Sequence, residues 1–144
     1  MSVTFKIGDF ESEKFVRTKV FIEEQGFEYE FDEHDKDPST VHITAWDGDE
    51  LLGCIRMLPP KGDDPDKDTW TLGRLAVLKT ARGRGIGGLL VAEGESVARS
   101  AGAKSVKLHA QCRVTPFYEK QGYVSFGPIE KEEHVDHIWM RKSL

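Results

Sequence analysis

The chain has no asparagine, only two cysteines and no apolar run long enough to span a bilayer. Any role for a side-chain amide therefore falls to Gln25, Gln111 or Gln121. Cys54 and Cys112 alone make neither a disulfide framework nor a four-thiolate metal site, which favours a reducing cytoplasm. The first residues, Met1 to Lys6, lack the long apolar stretch of a signal peptide, and no membrane partner is expected. A basic excess is also missing. Twenty Lys and Arg stand against 25 Asp and Glu, a net charge of -5, which argues against a nucleic-acid partner. No repeat, linker or low-complexity segment interrupts the 144 residues, so the expectation is one domain over 1–144 with its own core.

Periodicity gives the outline. Val3–Gly8 alternates as a half-buried strand does, and Phe10–Gln25 follows as a helix stopped by Gly26. Glu28–Pro38 is an acidic loop, of the kind usually just solvated. Val41–Trp46 and Leu51–Leu58 are strands joined by Asp47-Gly48-Asp49-Glu50, a hairpin signal. Trp70–Val77 is a strand, about Ile86 to Ala101 a helix closed by Gly102, and Ser105–Gln111 a strand. Thr115–Gln121 is a short helix with Pro116 in its first turn, and Tyr123–Phe126 and Val135–Arg141 are closing strands. That order predicts an α/β (α+β) fold with one mixed sheet and helices packed on it.

The segment between Val77 and the second helix stands apart. Four glycines occupy six positions, 83, 85, 87 and 88, and no Ser, Thr, Asp or Asn caps the helix that follows. Between Thr69 and Ala92 there are four basic residues and no acid, the wrong sign for the positive end of a helix dipole. An external anion resolves this: bare amides, a dipole and the guanidiniums of Arg82 and Arg84 make a polyphosphate site. Gly83-Arg84-Gly85-Ile86-Gly87-Gly88 satisfies G-x-G-x-x-G, but a dinucleotide fold needs it after the first strand and an acid about twenty residues on. Leu108 and His109 stand there instead, and no P-loop sequence is present.

Arg82-x-x-Gly85-x-Gly87, preceded by Leu75-Ala76-Val77, resembles the acyl-CoA-binding signature of the GNAT superfamily of acetyl-CoA-dependent acyltransferases. Phe117-Tyr118-Glu119-Lys120-Gln121-Gly122-Tyr123 is similar to that family's second signature, and the two are correctly ordered. Val16 to Gln25 is similar to a subgroup of small stand-alone bacterial-type members.

The resemblance implies a single GNAT-like domain with a mixed, mostly antiparallel sheet and an N-acetyltransferase using acetyl-CoA as cosubstrate, with no metal. It implies that Leu75, Ala76 and Val77 hydrogen-bond the pantetheine arm through their backbone. The amides of Arg82, Gly83, Arg84, Gly85, Ile86, Gly87 and Gly88 would wrap the pyrophosphate, and Gln111 would stand in for a pantetheine-binding Asn. Tyr118 matches the family's leaving-group acid, which gives a proton to the departing thiolate. The acceptor is a small-molecule amine or a protein lysine, attacked directly in a ternary complex, and the protein a monomer or homodimer.

The proton acceptor is less plain. Where many members carry a Glu, this chain has Arg74. Candidates are Glu24, paired in expectation with His42, then His109 and the Glu33/His34/Asp35 loop. Arg74 suits a substrate carboxylate, with Arg17 and Arg56 assisting it or pairing with the acidic loop. The acids from Glu23 to Asp37 suit a cationic amine instead. His134-x-x-His137 has metal-ligand spacing on a helix but falls in a probable strand, where the two point to opposite faces. The missing acid also leaves a second class open, an acyl-CoA-binding or sensing module without catalysis.

Overall fold

The computed structural model describes residues 1–144. Its strands are β1 (Val3–Ile7), β2 (Val41–Asp47), β3 (Glu50–Leu58), β4 (Thr69–Val77), β5 (Ser105–Gln111), β6 (Val124–Glu132) and β7 (Val135–Ser143). The α-helices are α1 (Phe10–Arg17), α2 (Ile86–Ser100) and α3 (Thr115–Lys120). All seven strands form one sheet in the order β1-β2-β3-β4-β5-β7-β6. Every pairing is antiparallel except β4 with β5, which α2 joins as the crossover that parallel neighbours require.

Helices cover both faces. On one, Leu90, Val91 and Ala98 of α2 and Tyr118 of α3 pack with Ile43, Ile55, Met57, Leu72, Leu108 and Met140. On the other, Val16 and Val20, one turn apart, pack on Cys54 and Ala76. Asp9 caps α1 by accepting from the Ser12 amide at 3.1 Å.

The first helix departs from expectation. It is α-helical only to Arg17, and Thr18–Glu24 winds as a π-helix, with the Gln25 amide bonded to Val20 O at 3.2 Å. Nothing in the local sequence announces that change. The last hairpin is longer than expected. Gly127-Pro128 does not end β6; it is absorbed by a register irregularity between Phe126 and Glu130. His134 lies in the turn of that hairpin, not in a strand.

The feature that opens the site is in β4. It pairs with β5 only from Thr69↔Ser105 to Leu72↔Leu108. Immediately beyond, Arg74 takes φ 53, a left-handed conformation uncommon for a side-chain-bearing residue. Toward β3 the register shifts, so that Gly73 faces Arg56 but Ala76 faces Cys54. This bulge swings β4 away from β5 and leaves Gly73–Val77 unpaired on that edge.

Candidate active site

The parting strands open a cleft of about 1010 Å³. Gly73 to Val77 form one wall, and Leu108 to Gln111 with Tyr118 the other. Arg82, Gly83 and Gly85 to Gly88 close one end. Leu75, Ala76, Val77, Gly83, Gly85, Ile86, Gly87, Gly88 and Gln111 are thus gathered in one place, and Arg82 with them.

The glycine end is built of backbone. Gly83 and Gly85 sit at φ 80 and 75, which a side chain rarely tolerates. Gly85 occupies the cap position of α2 and offers no side-chain cap, so the opening amides of the helix face outward with the dipole behind them. The flanking arginines correct the sequence reading. Arg82 bonds Glu24 through two nitrogens at 2.9 Å each, and Arg84 bonds Glu50 at 3.2 and 3.4 Å. Their guanidiniums are turned onto acids of other elements, which offset the basic sign locally. Arg84's side chain does not line the cleft.

Tyr118 is 8% exposed, and burial pushes its phenol well above the ordinary tyrosine range. It is a protonated donor throughout the neutral range. The sealed side-chain atoms without a partner are Glu13 Oε1, Arg56 Nε and His109 Nε2. The Tyr118 hydroxyl, which bonds no other side chain, is not among them, and Tyr118 lines the cleft. Gln111 Nε2 bonds Gln25 Oε1 at 2.7 Å, an amide pair across the cleft that the sequence did not announce.

Both expected base residues are displaced. The Arg82 hydrogen bonds hold the Glu24 carboxyl below its usual range, and the residue does not line the cleft. His42 is 8% exposed beneath α1, its Nδ1 2.7 Å from Glu13 Oε2, and it too lies off the cleft. Neither is placed to take a proton from a molecule bound there.

The acidic loop is not simply solvated. Arg17 is fully buried, and all five of its N–H groups are used. Nη1 bonds Glu13 and Asp35 at 2.7 Å each, Nε bonds Glu30 at 2.9 Å, and Nη2 bonds Glu30 O at 3.1 Å and Asp35 at 3.0 Å. Arg56 bonds Asp32 at 2.8 and 3.2 Å and Asp35 at 2.9 Å. Burial pushes the Asp35 carboxyl up, but the hydrogen bonds and charge of Arg17, with help from Arg56, outweigh it and hold the group well below the carboxylate range. For Glu30 burial wins over Arg74 and Arg17, and its carboxyl is raised. Glu13, Asp35 and His42 bring three possible metal ligands within 4.8 Å, but Arg17 Nη1 already sits against two of them, where a cation would go.

Arg74 stands where this cluster meets the cleft. Nε and Nη2 bond Glu30 O at 3.2 and 3.0 Å, Nε lies 2.9 Å from Glu30 Oε2, and Nη2 reaches Asp32 at 3.4 Å. Nη1 bonds nothing in the protein and is not sealed, and Arg74 lines the cleft. Arg17 and Arg56 are committed to the acidic loop.

Comparison with known proteins agrees with this architecture. The Acetyltransferase (GNAT) family profile matches residues 9–123. The chain is 33% identical over 129 residues to the uncharacterized N-acetyltransferase YjcF of Bacillus subtilis, covering 89% of this chain and 88% of that protein. It is 30% identical over 131 residues to protein ElaA of Escherichia coli, covering 90% and 84%. The crystal structure of Escherichia coli ElaA superposes with a TM-score of 0.84 at 25% identity over 98% of this chain and 99% of that one. An acyl-CoA N-acyltransferase from Pseudomonas aeruginosa gives 0.85 at 26%, again over 98% and 99%. A strand that parts from its neighbour beside a glycine-built helix start, and a sequence matched along most of its length, lead to one conclusion: the chain belongs to the acetyltransferase (GNAT) family of acyl-CoA N-acyltransferases.

Proposed function

We propose that the protein moves an acetyl group from acetyl-CoA to a primary amine by direct attack within a ternary complex. The observation that carries this reading is the parting of β4 from β5, which leaves an unpaired backbone edge between the α2 amides and the Tyr118 hydroxyl. An extended pantetheine can add to that edge as a further strand, with the pyrophosphate at the amides of residues 82–88. Backbone N–H groups of Leu75, Ala76 and Val77 then polarise the thioester carbonyl, and Gln111 bonds the arm. As the tetrahedral intermediate collapses, Tyr118 gives its proton to the thiolate.

Arg74 Nη1 favours an acceptor that carries a carboxylate beside its amine. The loop acids offer less attraction for a cation than their number implies, because Arg17, Arg56 and Arg74 pair with them. No helix is long and apolar enough to cross a membrane, and both cysteines are free thiols; a reducing cytoplasm is the compartment this reading uses.

The test is thiol release from acetyl-CoA across a panel of free amines and amino acids. Turnover is expected with at least one, and Tyr118→Phe is expected to slow kcat about 100-fold with CoA affinity retained. CoA binding without thiol release from any amine would instead make the chain a binding module.

A further inference from the structure

Resting on that transfer reaction, one chemical task stays unassigned: an ammonium must lose a proton before its nitrogen can attack. The structure answers on the wall of the cleft opposite α2. Leu108 pairs with Met140 and Ala110 with Ile138 on the face that packs on α2 and α3. The alternate pairs, His109 with Trp139 and Gln111 with His137, share the other face.

His137 is 5% exposed and lines the cleft. Its Nδ1 is 3.0 Å from Val135 O. A carbonyl oxygen only accepts, so Nδ1 carries the hydrogen and the neutral ring keeps its lone pair on Nε2. Nε2 has no hydrogen-bond partner and is not sealed off. Glu132 Oε2 lies 3.6 Å from it, while Glu132 Oε1 is 2.5 Å from His109 Nδ1. The His109 ring stacks on Trp139 with centroids 4.7 Å apart, which fixes the far end of the chain of groups.

We propose that His137 Nε2 is the proton acceptor for the incoming amine, with Glu132 and His109 as positioning residues. Nε2 takes one proton from the ammonium, forming an imidazolium whose new N–H faces Glu132 Oε2. The amine lone pair then forms the C–N bond, and the carbonyl π pair moves to oxygen. Collapse restores the carbonyl and breaks the C–S bond. Tyr118 protonates the thiolate and recovers a proton from the still cationic nitrogen. The imidazolium returns its proton to water, so one proton is released for each amide formed. The titratable groups around His137 are His109 from β5, Glu130 and Glu132 from β6, and Glu133 and His134 from the hairpin turn; Phe27 packs near both His134 and His137.

Two measurements on the full chain decide it. In ¹⁵N NMR of the histidine side chains, neutral His137 is expected with hydrogen on Nδ1; hydrogen on Nε2 overturns the proposal. In thiol release with an amine the wild type accepts, His137→Gln is expected to lower kcat/KM about 100-fold and to remove the low-pH limb of the profile, with the KM for acetyl-CoA unchanged. Hydroxylamine, unprotonated at neutral pH, is expected to lose far less. A wild-type rate and limb in His137→Gln overturn the proposal. Glu132→Gln is expected to move the limb, and an unmoved limb also overturns it, which keeps the test open if the His137 variant misfolds. Failure of the transfer reading is distinct: the wild type itself then releases no thiol, and Tyr118→Phe does not differ from it.

Discussion

The two ends of the cleft are made in different ways. The end at α2 is one continuous stretch, residues 82–88, whose proposed binding groups are backbone amides held by Gly83 and Gly85 at positive φ. The other end, where we propose the acceptor binds, is assembled from side chains brought from four places: Arg74 on β4, the loop from Phe27 to Asp32, His109 on β5, and Glu132 with His137 on the last hairpin. Backbone sites depend on conformation and tolerate side-chain change. Side-chain sites depend on every partner being present. The difference predicts which substitutions damage which half.

The largest effect is expected from the buried cluster behind the acceptor end. Arg17→Ala leaves Glu13, Glu30 and Asp35 without their shared counter-charge, a loss of about 3–5 kcal/mol in urea unfolding. If the comparison holds, whatever fraction stays folded keeps its CoA affinity. Next is the backbone end. Gly85→Val forces a branched residue to φ 75, and about 1–3 kcal/mol of strain weakens CoA binding roughly tenfold or more by calorimetry. Arg74→Gln is the mirror experiment: an acceptor KM raised about tenfold with CoA affinity unchanged, the loss of one charged hydrogen bond. Equal damage to both ligands would break the comparison.

Acid sharpens it further. Asp35 has a folded pKa below the unfolded value of about 3.9, so its contribution is complete above that value and is lost as pH falls through the folded one. Glu30, raised in the folded state, works the other way: its contribution is complete below the unfolded value of about 4.3 and is lost as pH rises through the folded one. Urea midpoints taken from pH 6 downward should therefore fall less steeply than Asp35 alone implies, and Glu30→Gln should steepen them. The smallest effect is expected from Arg84→Ala. Its pair with Glu50 is exposed, so stability should change by less than about 0.5 kcal/mol and CoA affinity not at all.

The same contrast explains what could be read from the sequence. The strands around the glycine turn, the short α3 and the family were legible because each is a local pattern: alternation, four glycines in six positions, a proline in a first turn. The displacement of Glu24 and His42 was not legible, because their partners Arg82 and Glu13 lie 58 and 29 residues away. The sequence marks His137 only through its spacing from His134; its register opposite Gln111 exists only once β7 has entered the sheet. Arg74 stands out by its position, but the left-handed φ falls on the arginine itself and not on the neighbouring Gly73, so no glycine marks the residue that turns.

The strand order has a consequence for the life history of the molecule. β7 slots between β5 and β6, and Glu133 at its hairpin clasps the amides of Glu28 and Tyr29 at 2.8 and 3.0 Å. A nascent polypeptide still tethered to the ribosome at residue 132 would possess every glycine of the turn before α2 yet only one side of the cleft's far end, and β5 would expose a raw edge to neighbouring chains. Chaperone dependence during synthesis, and rapid clearance of products truncated before Val135, should follow from that late insertion.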